Sequence, residues 1–329
     1  MKDKLLTLLK VVISLGLILY LFTCKVDLRT VLRVLGQADL GRALVALALY
    51  FGAIALGTTK WQLLLRQQGI QVPLTALWRY TLEGLFFGNF LLPLVASDVV
   101  RGYDLARHTD QAAEAAISVL VDKLVGLLAF AAAAAAMSLT VAFGWIPAGL
   151  ALRGAVWVVW GAFGGFVVLF AALLSRRLRS LVERLFRLPL LSRGAPLYRR
   201  LSEAIQPFRE RPLVLFRAFS ISLAVLVLTN VVNWLLAEAL GGGLPMRYIF
   251  LFNPMVAFAP ILIPSVGGLG VNQGAYDLFY ANLGGVVSSD FAVSLSLLMQ
   301  MCIYVSSLPG GALWWKGQRR ERQREGPTA

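Results

Sequence analysis

Histidine, cysteine and acidic residues are scarce in this chain. Its 329 residues include one histidine, His108, and two cysteines, Cys24 and Cys302. The two cysteines lie far apart and match neither the spacing of a metal site nor that of a redox pair. A zinc centre or a Ser-His-Asp triad would therefore depend on His108 alone. We accordingly expect no catalytic residue, no metal and no cofactor.

Charged residues are also rare, and long apolar runs take their place. Charged residues make up 15% of the chain and hydrophobic residues 58%, whereas a soluble domain carries about 25% charged residues. A helix that crosses the hydrocarbon core needs roughly 20 mostly apolar residues. The runs that we interpret as spans are residues 5–24, 44–59, 124–146, 155–174, 213–236 and 291–315. The sequence predicts one all-α polytopic membrane domain over residues 1–329, with about six full spans.

Basic residues outnumber acidic ones, giving a net charge of +14. A basic chain can indicate nucleic-acid binding, but here the basic residues cluster between the apolar runs, as in cytoplasmic loops of membrane proteins. Residues 176–217 hold eleven arginines and three glutamates. We predict a basic cytoplasmic connector at 176–211, a basic cytoplasmic tail at 316–329 and no nucleic-acid partner. The connector either lies on the anionic inner leaflet or forms a solvated linker.

Two apolar stretches interrupt the pattern of spans. If the loops keep the sides that their charge predicts, residues 80–96 begin and end on the cytoplasmic side, and residues 97–111 are too polar to return as a full span. We therefore predict a re-entrant helical hairpin that turns at Pro93. Residues 249–285 begin and end outside, either as a second hairpin that turns at Pro264 or as two short spans. The hairpins begin two repeat cores, residues 80–143 and 249–315.

The two broken stretches also resemble each other. LLPLVASDVVRGYDL (91–105) and LIPSVGGLGVNQGAYDL (262–278) share an apolar-Pro start and a Tyr-Asp-Leu end. Broken helices that enter from opposite sides indicate an inverted repeat, which in transporters places a binding site near the bilayer midplane. Irregular backbone at that depth persists only where it is buried in protein or lines a wet cavity, and a half-helix that begins there can bind phosphate. The alternative is that Pro264 and its glycines only make a tight helix contact.

Charged and amide side chains near these breaks are candidate ligands. A charge at the centre of a membrane helix costs about 2.5–3.5 kcal/mol on insertion scales, so it normally pairs or faces a cavity. Asp98 and Arg101 are one helical turn apart and can pair, whereas the adjacent Asp122 and Lys123 need different partners. The Asp98–Arg101 pair either handles a ligand or only fixes the hairpin. Two asparagines precede the two prolines and are expected to cap or line one cavity: Asn89 and Asn253.

These features resemble the lysylphosphatidylglycerol synthase transmembrane region, a family of flippase-like integral membrane proteins. The family's first signature, Asn, Leu-Pro, Gly-Gly-Asp and Arg, corresponds here to Asn89, Leu92, Pro93, Ala96, Ser97, Asp98 and Arg101. Its second signature, Pro, Gly-Gly-x-Gly and Arg-Glu-Gly, corresponds to Pro264, Gly267, Gly268, Gly270, Asn272, Gln273 and Gly274. An acidic–basic pair in the following span is matched by Asp122 and Lys123. Where Ala96–Ser97 and Asn272–Gln273 replace the family's residues, we expect the hairpin shape without the second charged pair.

The resemblance implies a multi-pass protein of a bacterial or archaeal cytoplasmic membrane, with both termini inside, that translocates or binds a lipid. The expected partners are lipids with anionic headgroups, phospholipid or polyprenyl-phosphate-linked, and a lipid-modifying enzyme is a further candidate partner. The alternative is a membrane-embedded lipid-modifying transferase, or a non-transporting subunit of one, with Asp98 and His108 as acid and base. The candidate substrate-binding residues are Asn89, Pro93, Asp98, Arg101, Asp122, Lys123, Asn253, Pro264, Gly267, Gly268, Gly270, Asn272, Gln273 and Gly274.

Overall fold

The computed structural model describes residues 28–90, 96–146, 149–174, 202, 205–209, 211–263, 265 and 268–325. Several expectations fall on residues outside these ranges. They are the predicted span 5–24, most of the connector 176–211, the end of the tail and the residues Pro93, Pro264 and Gly267.

All secondary-structure elements in the described ranges are helices, and no strand is found there. The α-helices are α1 (Leu28–Gly36), α2 (Leu40–Gln67), α3 (Leu74–Phe90), α4 (Ala96–Thr109), α5 (Ala112–Ala142), α6 (Leu150–Leu174), α7 (Pro212–Ala239), α8 (Met246–Val256), α9 (Ala259–Leu262), α10 (Val271–Tyr276) and α11 (Ser289–Glu325). A 3-10 turn at Gln206–Phe208 precedes α7, and a π-helix at Asp277–Leu283 continues α10.

Five of the described helices are long and apolar enough to cross a membrane. They are α2, α5, α6, α7 and α11. Each contains one of the predicted spans, except that α5 ends at Ala142, four residues before the predicted end at residue 146. The prediction of an all-α polytopic membrane protein is therefore confirmed. The helices extend past the apolar runs, because a helix continues wherever its backbone hydrogen bonds can form, while hydropathy marks only the part inside hydrocarbon. Thus α2 continues through Lys60 to Gln67, and α11 continues to Glu325.

The first predicted break forms a helical hairpin of α3 and α4. Helix α3 presents glycines where it touches α4: a Cβ on Gly84 would meet the side chain of Arg101, and a Cβ on Gly88 would lie 2.9 Å from the Cβ of Ser97. Gly88 follows Gly84 by four residues in α3, whereas its contact Ser97 precedes Arg101 by four residues in α4, so the two helices run antiparallel. Two glycines one turn apart thus allow this close backbone approach.

The second break lies between α9 and α10. Its helices are short: α8 has 11 residues and the following α9 has four, and α10 with its π-helix continuation has 13. Neither segment reaches the roughly 20 residues of a span, and the ring of Phe252 in α8 lies 5.3 Å from that of Tyr280 in the returning segment. The described residues therefore favour the hairpin over two short spans.

The span α11 passes both hairpins and shows their directions. The start of α3 lies near its C-terminal part, where Arg79 contacts Gly317, and the end of α3 reaches its middle, where the Phe90 ring lies 5.2 Å from Tyr304. In the second hairpin, Asn272 donates to Gln300 at 3.0 Å, and the chain then returns to the start of α11. The hairpins therefore approach from opposite ends of α11, and the described residues that flank their turns come together near its middle.

Candidate functional site

A network of buried charges lies beside the first hairpin. Asp122 of α5 is its centre: its Oδ1 lies 3.0 Å from Lys60 Nζ, and its Oδ2 accepts a hydrogen bond of 3.2 Å from Arg101 Nη2. The three side chains are 10–12% exposed. The guanidinium of Arg101 also lies 4.3 Å from the ring centroid of Trp61, a cation–π contact. Three helices, α2, α4 and α5, thus converge on one carboxylate.

A second carboxylate extends this network toward the hairpin tip. Lys123 Nζ donates to Asp98 Oδ2 at 2.6 Å, and Arg101 Nη1 lies 3.8 Å from Asp98 Oδ1. Asp122 and Lys123 thus have different partners, as the sequence predicts for adjacent residues on a helix. Asp98 and Arg101 form the expected pair, although each has a closer partner on α5.

The network carries a surplus of positive charge. Its five ionic groups are three cations and two carboxylates, which leaves one positive charge without a matching carboxylate within the network. An uncompensated charge inside a membrane protein is costly, so it usually marks a path or a site for a ligand of opposite sign. The charge balance therefore suits an anion. The members of the network are Lys60, Asp98, Arg101, Asp122 and Lys123.

A cavity of about 200 Å³, here the tip cavity, separates the tips of the two hairpins. Liquid water occupies about 30 Å³ per molecule, so the cavity has room for a group of phosphate size. The Nδ2 of Asn89 is buried and lacks an acceptor, which leaves a donor available for a ligand. The cavity is lined by Leu85, Gly88, Asn89, Ser97, Pro260, Gly268 and Asn272.

A second cavity, here the ion chamber, lies beside the charge network. Its volume is about 180 Å³, and its lining includes Lys60, Arg101, Asp122, Thr58 and Thr229. Leu85 lines both the ion chamber and the tip cavity. The side chain of Leu85 therefore separates the ion chamber, which contains the charged groups, from the tip cavity.

The second signature contributes backbone shape more than charge. Gly268 and Gly270 have φ of +78° and +80°, a left-handed conformation that glycine adopts without strain. The N–H of Gly270 donates to Gln273 Oε1 at 2.7 Å, so a side chain already caps the start of α10. The prediction that this helix start offers free N–H groups to a phosphate receives no support from that geometry. Gln273 is 1% exposed and acts here as a cap.

Not every predicted residue reaches the tip cavity. Asn89 and Asn272 line it, but Asn253 donates to Asn230 of α7 at 2.6 Å instead. Gly274 lies one turn into α10, where a Cβ would meet open space, so nothing in the packing requires glycine there. Asp98 and His108, the candidate acid and base of a transferase, do not meet, because His108 packs on Tyr80 at the other end of α4.

Sequence reasoning missed Lys60 and Trp61. Lys60 directly follows the predicted span 44–59, and a lysine in that position is ordinarily a cytoplasmic flank. Its partner Asp122 lies 62 residues further along the chain, so no local pattern connects them. The available signal was that Asp122 needed a cation other than its neighbour Lys123.

Comparison with known proteins supports the interpretation that the motifs suggest. A search of curated proteins gave no match, and neither did a search of solved structures. The model of the family described as "Lysylphosphatidylglycerol synthase TM region" matches residues 7–310, nearly the whole chain. The chain therefore belongs to the lysylphosphatidylglycerol synthase transmembrane-region family, whose membrane proteins are related to lipid handling.

Proposed function

We propose that this protein translocates a lipid with an anionic, phosphate-containing headgroup across the membrane. The observation that carries the proposal is the tip cavity, which lies between two broken hairpins and beside a charge network with one surplus cation. Membrane transporters place their sites at such paired broken helices. When a lipid crosses the membrane, only its headgroup has to pass through a polar cavity, because its acyl chains can stay in the bilayer.

The charge of a phosphodiester matches that of the site. One negative charge on the headgroup balances the single surplus positive charge of the network. A phosphate about 4 Å from a guanidinium gains roughly 4 kcal/mol at an effective dielectric constant near 20, which is comparable to the cost of a charge at mid-membrane. The headgroup would thus cross the midplane as part of a neutral cluster.

The described side chains suggest how the headgroup is held. Asn89 and Asn272 offer amide donors from the two hairpins, and Gly268, which has no Cβ, leaves room for the Asn272 amide beside it. Arg101 supplies the charge from behind Leu85, and Asp98 with Asp122 holds its guanidinium in place. In this scheme Lys60 and Lys123 keep the two carboxylates paired when Arg101 turns toward the phosphate.

Alternating access follows from the directions of the hairpins. The first hairpin leads from the C-terminal end of α11 to the tip cavity, and the second leads from the N-terminal end. Loosening one hairpin against α11 while the other stays packed would open the cavity to one side at a time. We propose that the membrane is a prokaryotic cytoplasmic membrane with both chain termini inside, and that a lipid-modifying enzyme supplies or uses the lipid.

The test is lipid movement in proteoliposomes. Purified protein is reconstituted with fluorescent phosphatidylglycerol, and the fraction accessible to a membrane-impermeant quencher is followed over time. Arg101→Ala should slow the movement roughly tenfold or more, since losing about 1.4 kcal/mol of stabilisation already costs tenfold in rate. The matched control is Arg153→Ala, which removes an exposed arginine of α6 and should leave the rate unchanged.

Two results would contradict the proposal. One is wild-type protein that moves no anionic lipid while a known scramblase does so in the same vesicles. The other is an equal loss of rate in Arg101→Ala and Arg153→Ala, which would indicate a nonspecific effect of charge. A changed headgroup composition after incubation would instead support the transferase alternative.

A further inference from the structure

A third cavity lies at the open end of the first hairpin, far from the tip. Its volume is about 200 Å³, and we name it the mouth cavity. Unlike the tip cavity, it is lined mainly by titratable groups from α3 and α4. These residues are Arg79, Tyr80, Glu83, Asp104, Arg107 and His108.

Two carboxyl groups face each other inside the mouth cavity. Glu83 is 2% exposed, and its Oε1 accepts a hydrogen bond of 2.6 Å from Arg79 Nε. Asp104 lines the same cavity as Glu83, and the Oδ2 of Asp104 is buried without a donor. Two carboxyl groups in one cavity can hydrogen-bond to each other only if one of them carries a proton, and a shared proton would give the buried Asp104 Oδ2 a partner.

Other titratable and apolar groups of the described residues also lie around the pair. From α3 it is faced by Arg79 and Tyr80, and from its own helix α4 by Arg107 and His108. At this level α5 packs against α4 with the apolar Ala115 and Val119. Of the charged residues of α5, Glu114 at its start is exposed, whereas Asp122 and Lys123 lie about two turns further along the helix, against Arg101 and Asp98. Helix α11 presents Gly317 to Arg79, and its Lys316 is exposed.

Burial and repulsion act on Asp104 in the same direction. Helix α4 is not one of the five spans, and Asp104 lies near its polar end. Burial, the charge of Glu83 and the hydrogen bond to Glu83 raise the pKa of Asp104 to about 7, although Arg79 and Arg107 oppose the shift. The proton is therefore exchangeable near neutral pH.

We propose that Glu83 and Asp104 form a proton-binding site that opens and closes the first hairpin. The inference rests on the proposed translocation and adds an ion that is coupled to it. With the proton bound, the two carboxyls share a hydrogen bond and hold α3 against α4. When the proton leaves to water through the mouth cavity, the two carboxylates repel each other, the hairpin loosens and the tip cavity opens to that side.

The first experiment measures lipid movement against pH in the proteoliposomes described above. Because a transport cycle needs both the protonated and the deprotonated state, the rate should peak near pH 7. It should be roughly threefold lower one pH unit from the peak and about 25-fold lower two units away. Asp104→Asn should abolish this peak, whereas Glu114→Gln, which neutralises an exposed carboxylate at the start of α5, should retain it.

The second experiment detects the proton without transport. Infrared difference spectra of purified protein between acid and alkaline pH should show the carbonyl stretch of a buried protonated carboxyl, lost as the pH rises through neutrality. Glu83→Gln/Asp104→Asn should lack the band, and Glu114→Gln should keep it. A wild-type protein without the band overturns the proton site whether or not lipid moves. A band together with transport that is independent of pH overturns the coupling, and a band in a protein that moves no lipid refutes the proposed function alone.

Discussion

Replacement of Asp122 by asparagine tests whether the charge network holds the fold together. Asn keeps nearly the same shape but removes the negative charge that faces Lys60 Nζ at 3.0 Å and Arg101 Nη2 at 3.2 Å. Both cations are almost fully buried, with side chains 10% and 12% exposed. The substitution therefore leaves two buried cations close together without the carboxylate that they share.

The expected loss of stability is large. Removing one partner of a buried ion pair typically costs about 3–5 kcal/mol, because the remaining charge stays buried and unpaired. An unfolding entropy of about 2.1 cal/mol/K per residue gives a shift of about 1.4 °C per kcal/mol for a chain of 329 residues, so the melting temperature of Asp122→Asn should fall by roughly 4–7 °C. Thiol labelling of the buried Cys302 on heating, in a Cys24→Ser background, reports unfolding in detergent.

A charge-restoring double substitution is the control. Lys60→Met/Asp122→Asn removes one cation and one carboxylate together, so the network keeps its single surplus positive charge. Replacing a buried ion pair by neutral residues of similar volume is often close to neutral in stability. The double variant should therefore be more stable than Asp122→Asn alone. Additive losses of the two single substitutions, or a melting temperature of Asp122→Asn within about 2 °C of wild type, would show that these groups are not coupled.

Two further predictions concern the hairpins. Gly88→Val should lower the free energy of unfolding by about 1–3 kcal/mol, because the new side chain would push against Ser97. A Cβ on residue 88 would lie 2.9 Å from the Cβ of Ser97. The control in the same thermal assay is Gly154→Val, at an exposed glycine of α6 with open space around it. Because the pKa of Asp104 is raised to about 7, its protonated form contributes stability at acid pH that is lost as the pH rises toward 7. In thermal melts from pH 5 to 8, the melting temperature of wild type should therefore fall with rising pH, and that of Asp104→Asn should change less. Equal changes in the two proteins would contradict the assignment.

The spans and the breaks could be predicted from the sequence because each depends on local composition. The length of the apolar runs predicted the positions of the spans α2, α5, α6, α7 and α11. The polar residues after Pro93 indicated that the chain does not return there as a full span. Helix ends were predicted less well, since α2 and α11 continue into polar residues that no hydropathy rule assigns to a helix. The close contact of α3 with α4 depends on Gly84 and Gly88, whose role emerges only when the opposing residues are known.

The candidate site was predicted only in part, because its contacts join distant parts of the chain. Asp98, Arg101, Asp122 and Lys123 were identified as costly charges, but the partner that completes the network is Lys60 on another span. Asn253 shows the opposite case. It stands before a proline as Asn89 does, yet it bonds to Asn230 of α7, since a residue's position in a motif does not determine which helix packs beside it.

The second signature of this chain lacks the charged pair usual in its family, and the structure suggests how the site tolerates this loss. Gln273 still caps Gly270 through a side-chain oxygen, and Asn272 still reaches α11 through Gln300. Both interactions need hydrogen bonding but no charge, so the shape of the second hairpin is kept. The surplus positive charge lies instead on cations of α2, α4 and α5, on the other side of Leu85. The second hairpin thus supplies backbone shape, and the charge network beside the first hairpin supplies the positive charge. Under the proposed function, substitutions in the two should affect lipid fit and lipid charge selectivity separately.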